Sequence, residues 1–197
     1  PFHFGPGLLV KAAAPRHFSM AAYSVAQIVI DFESGYHLLQ HHYPVHRQAH
    51  TFLLGGLIGL TCGLIVSRVG TWLARPRDLI PDALAAEYRM PIAAWSGAFG
   101  GMLHALLDGI MHADARPLRP FTDANPLYAL ASVNILYLFC IITGLVGAAV
   151  LAAGYAPLFP ETRLDTPALI VTLGRGSAPS SPAAAPPARA SRSRRAG

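Results

Sequence analysis

The sequence predicts an all-α polytopic membrane protein: about four transmembrane helices, a short N-terminal interfacial or re-entrant helix and a disordered, basic C-terminal tail. Three observations lead there. Of 197 residues, 53% are hydrophobic and only 13% charged, against about 45–50% and 25% in soluble domains. The mean hydropathy is +0.40. The apolar excess is gathered into runs that match a hydrocarbon core of about 30 Å, which a helix of roughly 20 residues crosses.

Taken in order, the chain opens with PFHFGPGLLVKAAAPRH, whose apolar piece Leu8–Ala14 is too short to cross and lies between Pro6 and Pro15. It reads as the interfacial or re-entrant helix. Segment A, Phe18–Leu39, has the length of a span but is interrupted by Asp31 and Glu33, which must face protein, water or metal if it crosses. Segment B, Thr51–Val69, carries no charge before Arg68, and its glycines at 55, 56, 59 and 63 allow close helix approach. The loop after it mixes arginines with acids and suits a surface-lying amphipathic helix near Pro81–Arg89. Segment C, Pro91–Ala113, is long enough to cross yet contains His104, Asp108 and His112. Segment D, Leu127–Gly154, is an uncharged run of 28 residues. From Pro160 onward no aromatic residue occurs, and the last 22 positions are Ala, Pro, Ser, Gly and Arg only. Such a composition has no means of building a core, so the expected division is a helical membrane domain at 1–159 and a disordered tail at 160–197.

The formal charge of +5 does not point to nucleic acid, because six of the fifteen basic residues (Arg163, Arg175, Arg189, Arg192, Arg194 and Arg195) lie in the tail. With four crossings, Lys11, Arg16, the Arg68–Arg89 loop and the tail share one side, which the positive-inside rule makes cytoplasmic. No basic stretch followed by a short apolar h-region opens the sequence, so insertion is expected to use the spans themselves. Cys62 and Cys140 sit within apolar runs and are expected to pack as small hydrophobes.

The chemistry is concentrated in histidine. Seven of nine fall in two clusters: His37, His41, His42, His46 and His50, then His104 and His112. On a helix His104, Asp108 and His112, four residues apart, share one face. Glu33, His37 and His41 repeat that spacing near the end of segment A, and His46 and His50 repeat it before segment B. Asp31 lies about 200° around an ideal helix from Glu33, so the two acids face one site only if the helix bends or ends. Imidazoles and carboxylates at hydrocarbon depth are costly unless they hold a cation or close a polar network. His46, His50, His104, Asp108 and His112 are therefore the candidate metal ligands, with Glu33 or Asp31 as general base or a further ligand. The cation is a divalent metal, zinc first, with manganese or iron as alternatives; haem between paired histidines fits the accompanying acids less well. Arg116 and Arg119, near His112, are candidates for holding a substrate phosphate. No G-x-G-x-x-G, G-x-x-x-x-G-K, H-E-x-x-H or G-x-S-x-G motif occurs.

These elements resemble the bacterial inner-membrane family of membrane-bound metal-dependent hydrolases. The resemblance rests on His3 with Gly5, the acidic pair Asp31 and Glu33, HRQAHT at His46–Thr51 and GGMLHALLD at Gly100–Asp108, and covers about residues 1–120; it implies that His3, at an end able to fold back onto the site, joins the candidate metal ligands. The chain departs from the family pattern at Ile30, where a proline precedes the acidic pair, at Glu33, where the second acid is aspartate, and at Gln48–Ala49, where a glycine is common. The resemblance implies a multi-pass protein of the bacterial inner membrane that hydrolyses an ester through a metal-activated water; the later H-x-x-x-D, shared with zinc phospholipases and single-strand nucleases, implies a phosphodiester. Membrane lipids and a phosphoester or lipid substrate are the expected partners. The alternative is a non-catalytic accessory subunit that packs against other membrane proteins and keeps a structural metal or polar cluster. A transporter would need polar residues along both halves of the membrane, and here they crowd one.

Overall fold

The computed structural model describes residues 2–74 and 85–155. The expected tail at 160–197 lies outside the described residues, as does the first part, 81–84, of the amphipathic helix expected near Pro81–Arg89; the described remainder holds only a 3-10 turn. Among the described residues the structure is all-α: α1 (Phe4–Ala13), α2 (Met20–Leu39), α3 (Phe52–Ala74), a 3-10 turn (Ala86–Tyr88), α4 (Met90–Met111) and α5 (Val133–Tyr155).

Local signals set most helix ends. Proline is tolerated in a first turn, where its missing N–H has no intrahelical partner, so α1 runs through Pro6 and begins four residues before the expected apolar piece. The Ser19 side chain accepts from the Ala22 amide at 3.2 Å and caps α2. Pro91 sits in the first turn of α4. Segment D starts as a helix only at Val133, six residues into its apolar run. Leu127–Ser132 instead turn across the end of α4: Ala129 takes a left-handed backbone and donates to the Ile110 carbonyl at 3.0 Å.

Among the described residues three helices are long and apolar enough to cross a membrane: α3, α4 and α5. Their outer faces carry exposed leucines and isoleucines such as Leu57, Ile65, Ile135 and Leu145, the side chains of a multi-pass protein that meets lipid. The sequence alone leads to about four such helices. The fourth candidate, α2, has 20 residues but includes Asp31 and Glu33 and does not meet that measure.

The helices are held at two kinds of contact. Helices α3 and α4 run antiparallel with their backbones touching, Gly55 opposite Gly101, Gly59 opposite Gly97 and Gly63 opposite Ala93. A Cβ at Gly59 would collide with the Gly97 carbonyl, and one at Gly101 with the Gly55 carbonyl. Small residues are what membrane helices use for such approach. Helix α2 lays Ala22, Tyr23, Ala26, Gln27 and Ile30, spaced three or four residues apart, as its buried stripe; Tyr23 meets Gly100 of α4. Helix α1 runs alongside α5 in the same direction, with Gly5 beside Cys140 and Thr143 and Gly147 beside Leu8 and Leu9.

The turn between α1 and α2 is tied at its base. Lys11 Nζ donates to the carbonyls of Pro15 and Phe18 at 2.7 and 3.0 Å and pairs with Glu87 Oε1 at 2.7 Å. Glu87 Oε2 accepts from the Ala21 amide at 3.2 Å. Both charges are buried, and this full set of partners is what offsets their desolvation. From this end α2 climbs beside α4: the Ser19 amide donates to Ser96 Oγ at 2.9 Å, and Gln27 Nε2 to the Gly100 carbonyl at 3.0 Å.

The glycine contact gives a direct test. Replacing Gly59 by valine forces the α3 and α4 backbones apart and is expected to cost at least about 1–3 kcal/mol, the range of an overpacked core. Gly35 of α2 has open space where a Cβ would stand, so Gly35→Ala is expected to leave stability unchanged or raise it by up to about 1 kcal/mol through helix propensity. Thermal unfolding of the detergent-solubilised variants, followed by circular dichroism, checks both.

Candidate metal centre

Five imidazoles surround one carboxylate. Asp108, 2% exposed near the end of α4, has His3 Nε2 at 3.3 Å and His112 Nε2 at 3.8 Å from Oδ1. From Oδ2, His104 Nε2 stands at 3.1 Å, His50 Nε2 at 3.4 Å and His46 Nε2 at 3.9 Å. Asp31 Oδ1 lies 3.4 Å from His104 Nε2. Among the described residues no lysine or arginine pairs with Asp108.

Each element brings its side chain for a local reason. His104 and Asp108 are one helical turn apart on α4 and share a face. His112 caps the C-terminus of α4, its amide still donating to the Asp108 carbonyl at 2.8 Å. His46 and His50 do not lie on a helix, as their spacing suggests, because α3 begins only at Phe52. Between them the chain makes turns, and the Thr51 hydroxyl caps the start of α3 through the Leu54 amide at 3.1 Å. His3 precedes α1 and is held by its carbonyl, which accepts from Tyr23 Oη at 2.5 Å. Asp31 and Glu33 both reach the cluster although α2 runs unbroken through them, because His104 and His50 stand on different flanks of that helix.

The far side of the rings fixes their tautomers. His46 Nδ1 lies 2.9 Å from Asp114 Oδ1, and His50 Nδ1 3.2 Å from Glu33 Oε2. An ionised carboxylate only accepts, so both Nδ1 atoms carry the proton. Gln27 settles His104 in the same way. Its Nε2 is committed to the Gly100 carbonyl, which turns Oε1 to His104 Nδ1 at 2.6 Å. Three Nε2 lone pairs therefore point into the cluster. Imidazole metal ligands are oriented in this manner, by a carboxylate or carbonyl on the other nitrogen.

The inward distances differ from those of hydrogen bonds. A charge-assisted N–H···O contact is about 2.7–2.9 Å. Two ligands of one tetrahedral zinc, each about 2.0–2.1 Å from the ion, stand about 3.3–3.4 Å apart. The His104–Asp31 and His50–Asp108 separations are both 3.4 Å. His104 Nε2 is fully buried and forms no hydrogen bond even though Asp108 Oδ2 is 3.1 Å away. Asp31, His50, His104 and Asp108 together offer four ligand atoms within 4.8 Å of one another, a set able to hold a metal ion. Ser34 Oγ, 3.0 Å from His50 Nε2, is the one hydroxyl that a bound cation would displace.

The rim is electrostatically tuned. Burial and the neighbouring His46 imidazole hold His112, just past α4, below the usual imidazole range. Burial pushes the Asp114 carboxyl up, but the His46 ring and the amides of Val45 and His46 outweigh it and hold the group below the usual carboxylate range.

Other expected roles fall differently. Glu33 is occupied by the amides of Gln48 and Ala49 at 3.1 and 2.9 Å besides His50. His37, with its Nδ1 unpartnered, pairs with neither acid and faces the Tyr36 and His42 rings. Arg116 donates to the carbonyls of Ala113 and Ala115 and Arg119 to Asp123, so neither reaches toward the cluster. Asn125 donates to the Gly109 and His112 carbonyls at 2.9 and 3.3 Å and braces the end of α4. Gln27 is a functional residue that the spacing of histidines and acids does not single out, although a glutamine one turn before Asp31 in an apolar helix is a usable signal.

The fold and site define a multi-pass helical membrane protein with a buried His/Asp cluster of metal-binding composition. No protein-family model, curated protein or solved structure matches the chain.

Removing an outer partner tests the orientation argument. Asp114→Ala frees the His46 ring without touching the Nε2 atoms. It is expected to weaken metal binding about 10–100-fold, the usual effect of losing such a partner, and, because Asp114 also accepts from the Val45 and His46 amides, to lower the melting temperature of the metal-free protein by roughly a few degrees. Competition with a chromogenic chelator measures the first and circular dichroism the second.

Proposed function

We propose that the protein is a membrane-embedded, metal-dependent hydrolase acting on a phosphoester or other ester near the lipid interface, as the resemblance to the bacterial inner-membrane hydrolases implies. The observation that carries this reading is the convergence of His3, His46, His50, His104 and His112 on Asp108 with three Nε2 lone pairs fixed inward. A divalent cation there, zinc before manganese or iron, supplies Lewis acidity toward a phosphoryl or carbonyl oxygen and makes water a nucleophile at neutral pH. Glu33, already saturated by two amides and His50, acts as a positioning residue for that ring. Asp31 is the carboxylate we assign to metal binding and proton uptake, since one oxygen faces His104 while the side chain stays half-exposed.

The substrate side is a groove of about 700 Å³ lined by Phe4, Ile28, Phe32, Tyr36 and Leu39, with Asp31 in its wall. Its apolar lining suits the chain of an amphiphile whose ester lies at Asp31. We also assign a fourth crossing to α2, because its ends meet the same levels as those of α4: Ala21 bonds Glu87, just before α4, and Asp31 meets His104 near the other end. By the charge asymmetry of the loops, the Lys11 and Glu87 end faces the cytoplasm of a bacterial inner-membrane protein.

Elemental analysis of detergent-purified wild type beside His104→Ala/Asp108→Ala tests this reading, together with turnover of long- and short-chain phosphoesters and carboxylic esters. Metal in wild type alone and turnover that favours the long chain, lost by at least 100-fold in the double variant, is the expected result. Well-folded wild type that takes up no metal sinks it. Bound metal with no turnover of any ester, and co-purification at fixed stoichiometry with other membrane proteins, would transfer the assignment to an accessory subunit.

A further inference from the structure

The cluster holds more ligands than one ion can use. Five imidazoles and two carboxylates, from Asp31 and Asp108, point at one buried space, whereas zinc in protein sites is almost always four-coordinate. Asp31, His50, His104 and Asp108 already complete such a set. His3, His46 and His112 are left without a place on it.

The leftover rings are not scattered. His46 and His112 are stacked, with centroids 4.0 Å apart and planes inclined by 20°, and their Nε2 atoms lie 3.9 and 3.8 Å from the Asp108 carboxylate; with Asp114 they make a second group of ligand atoms within 4.8 Å of one another. His3 Nε2 and His112 Nε2 both have Oδ1 as their nearer Asp108 oxygen, at 3.3 and 3.8 Å. The first set uses the other oxygen: His104 and His50 face Oδ2 at 3.1 and 3.4 Å. His46 Nε2 is nearer Oδ2, at 3.9 Å, but its ring is stacked on that of His112, which groups it with the Oδ1 side, and Asp114 holds its Nδ1. A carboxylate that presents each oxygen to a different group of imidazoles has the form of a bridging ligand.

We infer that the site is a two-metal centre bridged by the Asp108 carboxylate, with Asp31, His50 and His104 completing one ion's ligands and His3, His46 and His112 the other's. This rests on reading the cluster as a metal site, and it specifies that site further. Two imidazoles with two carboxylates in one set, and three imidazoles with one carboxylate in the other, favour borderline divalent ions such as zinc, with manganese able to substitute. The second ion has three imidazoles and one carboxylate oxygen, and its rim residue His112 has a side chain 40% exposed. That rim is where water or a substrate oxygen has access. Two ions about 3.5–4 Å apart form the kind of clamp that can hold both the attacking and the leaving oxygen of a phosphoryl displacement. A phosphoester therefore fits this centre better than a carboxylic ester.

The test is metal binding by the full chain in detergent, stripped with chelator and titrated with zinc or manganese. Wild type is expected to bind two equivalents. His3→Ala/His112→Ala is expected to bind one, because the Asp31, His50 and His104 set is untouched. His112→Ala alone, at the exposed rim, guards against misfolding and is expected to weaken the second equivalent by at least tenfold while leaving the first. Low-temperature electron paramagnetic resonance of the manganese form supplies a readout independent of activity. Two bridged ions give an exchange-coupled spectrum in wild type, and the double variant gives the six-line signal of an isolated ion. Saturation at one equivalent in wild type and in the double variant alike would overturn the two-metal assignment and leave the hydrolase reading standing. Two equivalents without exchange coupling would overturn the bridge. No bound metal at all would remove both.

Discussion

The structure depends on keeping one carboxylate out of water. Asp108 is 2% exposed at the end of a helix fit to cross a membrane, and the desolvation of such a charge amounts to several kcal/mol even after relaxation. Elsewhere the chain solves this problem with a direct counter-charge, since Lys11 meets Glu87 at 2.7 Å and its remaining donors are taken by carbonyls. At Asp108 it supplies only imidazoles, and the tautomers of His46, His50 and His104 are arranged to present lone pairs. Lone pairs do not stabilise a carboxylate. The arrangement becomes favourable when positive charge sits among them, either as a cation or as protons on the rings.

That requirement explains the close contact of α3 and α4. His50 lies just before α3, and His104 and Asp108 lie near the end of α4. Because the helices are antiparallel, His50 and Asp108 meet at the same end. The separation of 3.4 Å between their ligand atoms is inherited from glycines that let the backbones touch at Gly55 and Gly101, one turn below the site. A wider helix pair would pull His50 off the cluster. Helix α2 is fixed to the same frame by Gln27, whose amide bonds the Gly100 carbonyl and the His104 ring at once, so fold and site share a residue.

The parts legible in the sequence are those governed by local period and composition. The His104 and Asp108 pairing follows from helical spacing, and the apolar runs mark α3, α4 and most of α5. Other features depend on tertiary contacts that a linear reading lacks. His46 and His50 have helical spacing but sit in turns, because the Asp114 and Glu33 carboxylates bond the amides of Val45, His46, Gln48 and Ala49 and hold that stretch as a loop. Asp31 and Glu33 are incompatible with one site only if that site lies on a single side of α2, whereas the cluster is broad enough to touch two of its flanks. The late start of α5 comes from Leu127 packing against Gly109 and Ala129 bonding Ile110, contacts that apolarity alone does not encode.

The distribution of polar groups along α2 and α4 bears on what the protein can do. At one end stand Lys11, Glu87, Ser19 and Ser96, and at the other the His/Asp cluster. Beside the first end Phe18, fully buried and bonded through its carbonyl to Lys11, packs against Tyr23, Trp95 and Phe99 with ring centroids 5.4–6.1 Å apart. A proton or ion path across the membrane would have to pass these packed rings, whose Tyr23 hydroxyl is already committed to the His3 carbonyl and leaves little to replace lost hydration. The cluster communicates sideways instead, through Asp31 into a groove lined by Phe4, Ile28, Phe32 and Leu39. Under the hydrolase reading proposed above, this lateral groove is where the chain of an amphiphilic ester would lie, with its polar linkage at the carboxylates.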